Sequence, residues 1–75
     1  MPFTQQITTE EIAKHYASAL DSVDLINTYQ SNPPSYLTEE EVTDAIDRNK
    51  KHLEIMLAKD YWTTEDLSPL EAAVL

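Results

Sequence analysis

Apolar residues recur at helical spacing in two long stretches of the chain. In the first, Ile12, Tyr16, Ala19, Leu20, Val23 and Ile26 fall on one face when successive residues are turned by about 100°. This predicts a helix over residues 9–30. In the second, Val42, Ala45, Ile46, Asn49, Leu53, Met56 and Leu57 form the stripe, and the predicted helix covers residues 39–59. Between them lies SNPPS. Pro33 and Pro34 lack the N–H that a continuing helix needs, and Asn32 before them is pushed towards extended backbone. A connection this short folds the two helices into an antiparallel hairpin.

One phrase recurs three times, as ITTEEI at 7–12, LTEEEV at 37–42 and WTTEDL at 62–67. In a capping box the Thr hydroxyl accepts from the N3 backbone N–H, and the N3 acid accepts from the cap N–H. The flanking apolar residues then pack on each other as a staple. Thr8, Thr38 and Thr63 fit the caps, with Glu11, Glu41 and Asp66 at N3. The corresponding staples pair Ile7 with Ile12, Leu37 with Val42, and Trp62 with Leu67. Additional acids in each first turn complement the helix dipole, and Arg48, Lys50, Lys51 and Lys59 gather in the later half of the second helix. The segments between the phrases share nothing else, so the phrase marks helix starts and not a solenoid repeat.

The third start has a competitor. LSPLEA is also a capping phrase, with Ser68 as cap, Pro69 at N1 and Glu71 at N3. Pro69 inside a helix begun at Thr63 would leave the Glu65 carbonyl without its donor. The reading is one turn over 64–67, a break near Ser68, and a short helix over 69–75 that must dock on the hairpin to persist. The expected fold is therefore all-α: a helical hairpin plus a short C-terminal helix, forming one domain over residues 1–75.

Composition narrows the chemistry. A chain of 75 residues buries only about 60% of the surface its unfolded form exposes. Its core supplies roughly 3–5 kcal/mol, so support from a partner is expected. Cysteine is absent, which excludes a disulfide framework and thiolate metal sites. Glycine is absent too, which excludes Gly-rich phosphate loops, dinucleotide-binding turns and EF-hand loops. The formal net charge is −9, which argues against direct nucleic-acid binding and against anionic membrane surfaces. MPFTQQITTEE has neither the basic start nor the apolar core of a secretory leader, and no apolar run reaches the roughly 20 residues of a membrane span. A soluble protein working in a cytoplasm is expected.

No catalytic arrangement stands out. His15 and His52 lie on different helices without ligand spacing, and they read as surface or boundary residues. Asp21 and Asp24, and Glu40, Asp44 and Asp47, lie on solvent-side arcs and read as solvated faces. No enzyme, cofactor or metal is expected.

The hairpin leaves some apolar residues unexplained. Leu25 and Ile55 point away from their core stripes, and Tyr29 extends the Leu25 patch by one turn. With Val74 and Leu75 at the apolar end, they form the candidate partner-binding surface. Asn49 is polar on an apolar face, where a buried Asn can fix helix register or oligomer state.

Asn49, His52-Leu53-Glu54, Met56-Leu57, Lys59-Asp60, Trp62-Thr63 and the run from Glu65-Asp66 through Ala72-Ala73 carry a resemblance. Over about the last third of the chain, the sequence resembles the C-terminal part of small uncharacterised proteins encoded by tailed bacteriophages, marine and cyanobacterial ones among them. The resemblance implies a phage context, where small helical proteins serve as virion components, assembly factors or host-directed inhibitors. Two function classes follow. The first is an interaction module of a virion or its assembly, working as a homo-oligomer or with other virion or host proteins. The second is an acidic DNA mimic that inhibits a basic host or defence protein, since carboxylates at i, i+4 lie about 6 Å apart.

Overall fold

The computed structural model describes residues 7–75. It is all-helical, with α1 at Thr9–Ser31, α2 at Glu39–Leu57 and α3 at Ser68–Ala73. The first two form the expected hairpin, and α3 packs against both.

Both long helices begin at capping boxes. The Thr8 hydroxyl accepts from the Glu11 N–H at 3.1 Å, and the Glu11 carboxylate accepts from the Thr8 N–H at 3.5 Å. At α2 the same bonds between Thr38 and Glu41 measure 3.1 and 3.0 Å. Each box satisfies donors that the first helical turn leaves orphaned. Thr38→Ala should therefore cost about 1 kcal/mol in a denaturant titration, whereas Thr43→Ala, inside the helix and off the cap, should cost clearly less. Equal losses would refute the capping role.

The third start differs from expectation. Residues 63–67 contain no helical turn, and Thr63 caps nothing. The Glu65 carboxylate instead accepts from the Thr63 and Thr64 N–H groups, at 2.9 and 3.1 Å. Ser68 is not a cap either. It is the first residue of α3, and its N–H donates to the Asp66 carboxylate at 3.0 Å. The preceding Leu67 caps without a side-chain bond. A helix begun at Thr63 would lose a bond at Pro69 after one turn, too little to offset nucleation. Short acid-to-backbone bonds win at this point because they close a turn without fixing a helix.

Helix α2 ends at Leu57, two residues before the expected Lys59. The Met56 carbonyl takes the Lys59 N–H at 3.1 Å and the Trp62 indole N–H at 2.7 Å. Trp62 thus adds a second donor to a carbonyl that lies outside the regular i to i−4 ladder at the helix C-terminus. Its position folds the connecting segment back over the open end of the hairpin. Tyr16 secures the same segment, donating its hydroxyl to the Asp66 carbonyl at 2.7 Å.

The core comprises Ala19, Val23, Ile26, Leu53, Met56, Leu70 and Ala73, with Tyr16, Ile46, Leu57, Trp62, Leu67 and Val74 packed around it. Ile26, Leu53 and Leu70, one from each helix, are its largest fully buried side chains. Two positions depart from the predicted α1 stripe: Leu20 is exposed, and Ser22 is buried in its place. The buried face is rotated by about 40° towards Ser22. Asn49 is half-buried, and its amide donates to the Ala45 carbonyl one turn back at 2.7 Å. That bond satisfies it within its own helix. Among the described residues no buried side-chain N or O lacks a partner.

Candidate functional site

The predicted partner surface divides by exposure. Ile55 is 58% exposed on α2, and Leu75, two residues beyond α3, is 94% exposed. Leu25 and Tyr29 on α1 are half-buried. Val74 is half-buried as well, packed against the core as part of the α3 dock. The Leu75 carbonyl accepts from Lys50 Nζ at 3.3 Å, which ties the chain end to α2 while the Leu75 side chain faces solvent. Ile55 is displaced by about 145° from the centre of the buried α2 face, so its exposure follows from helical geometry. On the same outward arc stand Glu41, Asp44, Arg48 and Lys51, all exposed and within about 40° of Ile55, with Lys51 nearest along the helix, and Arg48 Nε donates to the Asp44 carbonyl at 3.3 Å.

At the opposite end, the hairpin tip holds an apolar hollow of about 300 Å3 lined by Pro33, Pro34, Leu37, Glu39, Val42 and Thr43. Its physical origin is legible in the chain. The two prolines that stop α1 sit beside the Leu37–Val42 staple of α2, and these staple residues are only half-buried. Tyr36 in the connecting turn is 82% exposed.

A larger groove, about 610 Å3, lies at the open end of the hairpin. Glu11 and His15 from α1 face His52 and Met56 from α2, with Lys59 and Tyr61 from the following segment. The His15 and Tyr61 rings stack with centroids 5.7 Å apart, and Tyr61 meets Trp62 edge-on at 4.7 Å. Burial pushes the Tyr61 phenol above its ordinary value. The two histidines lie on different helices and share no ligand spacing in sequence, yet the hairpin brings them together, because they stand about equally far from its connecting loop on either side. Among the described residues no group of three or more His, Cys, Asp or Glu side chains is arranged to hold a metal ion.

The carboxylates considered above, Asp21, Asp24, Glu40, Asp44 and Asp47, are all exposed. Two others are perturbed. The Thr63 and Thr64 N–H groups hold Glu65 below its ordinary 4.5, and Ser68 holds Asp66 below its ordinary 3.8. A carboxylate whose folded pKa is depressed stabilises the folded state fully above its unfolded pKa, and that contribution fades as pH falls through the folded value. The segment carrying Trp62 should accordingly loosen below about pH 4. Protonation also relieves repulsion in a chain of net charge −9, so global stability is a poor gauge. Trp62 emission is the proper readout: a red shift on acidification is expected in the wild type, and a smaller one in Glu65→Gln. Identical acid profiles would refute this role for Glu65.

No helix among the described residues is long and apolar enough to cross a membrane. No family model, curated protein or solved structure matches the chain.

Proposed function

We propose that this protein is a small, non-catalytic interaction module that acts through apolar side chains left on its outer helical faces. The observation that carries the reading is Ile55, 58% exposed on a helix whose opposite face lines the core. A single exposed Ile is ordinary. On the arc before Ile55 stand Arg48 and Lys51, two of only five basic residues in a strongly acidic chain. The resemblance of residues 49–75 to tailed-phage proteins points to a virion or its assembly as the setting. The protein's partners are proteins, either further copies or other components of the particle or host. Nucleic acid and membranes are not its direct targets.

Sedimentation across a concentration series tests this reading. Leu25→Ser combined with Ile55→Ser should leave helix content intact and abolish association. A wild type that remains a monomer at every concentration and captures no protein from its host would overturn it.

The DNA-mimic reading rests on a different observation. The molecule is elongated, 51 × 25 × 20 Å, with exposed carboxylates along both long helices. Such a protein would bind a basic groove by charge and lose its partner steeply as salt rises, while an apolar contact would persist.

A further inference from the structure

The molecule is polarised, with a hollow at one end and a knob towards the other. Residues 32–47, which form the hairpin tip and the first half of α2, contain Glu39, Glu40, Glu41, Asp44 and Asp47 and no Lys or Arg. Within them lies the 300 Å3 hollow with its Pro33, Pro34, Leu37 and Val42 walls and Glu39 at its rim. That volume suits one large apolar side chain and is at the lower limit for a small-molecule site. Further along α2 the charge reverses. Ile55 projects outward on the arc that carries Arg48 and Lys51. An exposed aliphatic residue with Lys51 one turn and Arg48 two turns before it is the chemical complement of an apolar hollow with Glu39 in its lining.

One copy cannot satisfy itself. Val42 and Ile55 are separated by about 20 Å along a single rigid helix, and their side chains point in directions about 140° apart. We propose that the occupant of the hollow is a second copy of this chain: Ile55 of one molecule seats in the tip of the next, with Arg48 and Lys51 against Glu39 and Glu40. This inference rests on the interaction reading above and specifies its surface and partner. The contact joins two different patches, so it is heterologous, and repetition gives open chains or rings rather than a closed two-fold dimer. Net charge −9 opposes indiscriminate approach of copies, so the charge-matched ends are the favoured contact. The contact surface is small, and the association is accordingly weak and concentration-dependent.

Complementation tests the directionality. Thr43→Arg, at an exposed residue lining the hollow, places bulk and positive charge there without touching the Thr38 cap. Ile55→Asp removes the knob at an exposed position. Circular dichroism establishes that both variants keep wild-type helix content, and Glu39→Lys with Glu40→Lys replaces Thr43→Arg if that variant does not. In sedimentation at high concentration, the wild type should exceed dimer mass, each variant alone should remain monomeric, and their equimolar mixture should form dimers and nothing larger. A wild type that stops at the dimer, a mixture that stays monomeric, or a variant that assembles alone like wild type would each overturn the head-to-tail contact. Absence of self-assembly with retained, Ile55-dependent capture of another protein would overturn this inference alone. Absence of both would overturn the interaction reading as well.

Discussion

Leu53→Ala is expected to cost about 2–5 kcal/mol, comparable with the whole stability of a domain this small. Leu53 is fully buried at the centre of the α2 face, in one core with Ile26 and Leu70. Truncation there removes methyl groups and leaves a cavity, because helices on both sides limit collapse. The informative comparison is Leu20→Ala. Periodicity puts Leu20 in the α1 stripe, but it is 37% exposed, so its loss should change stability by less than about 1 kcal/mol. Denaturant titration measures both. Equal losses would mean that Leu20, and not Ser22, faces the core in solution.

Leu70→Ala should be similarly severe, at about 2–5 kcal/mol, with a distinct optical signature. Helix α3 has six residues and no side-chain cap, so it has negligible helicity of its own. Its order depends on docking Leu70 and Ala73 against the hairpin, assisted by Val74. Loosening that dock should release Leu67 and the segment held by Trp62, shifting indole emission to the red. Removal of residues 69–75 should produce the same shift. Unchanged Trp62 emission in both variants, with stability within about 1 kcal/mol of wild type, would show that α3 contributes little.

The capping boxes show why much of this architecture was legible in sequence. Thr8 with Glu11 and Thr38 with Glu41 bond locally, within four residues, so the phrase alone determines the geometry. The same phrase misled at Thr63 because its outcome depends on Pro69, six residues on, and on which acid reaches the backbone first. Trp62 packs against the core, but as the donor to the Met56 carbonyl and not as the staple of a helix start. Ser22 and Leu20 exchanged roles because the rotation of α1 is set by packing against its neighbours, which a helical period does not contain. The candidate surface was legible at Ile55, where geometry alone forces exposure. The tip hollow and the His15–His52 groove follow from the pairing of the hairpin and not from any single stretch of sequence, since both form where separate segments meet.

Capture from the native host with tagged protein, washed through increasing salt, bears most directly on the function. Wild type should retain a protein partner through moderate salt that releases a purely charge-held one, and Ile55→Ser should lose it. Recovery of the same proteins by wild type and Ile55→Ser, or release of a basic nucleic-acid enzyme at moderate salt, would contradict an interaction made through apolar helix faces.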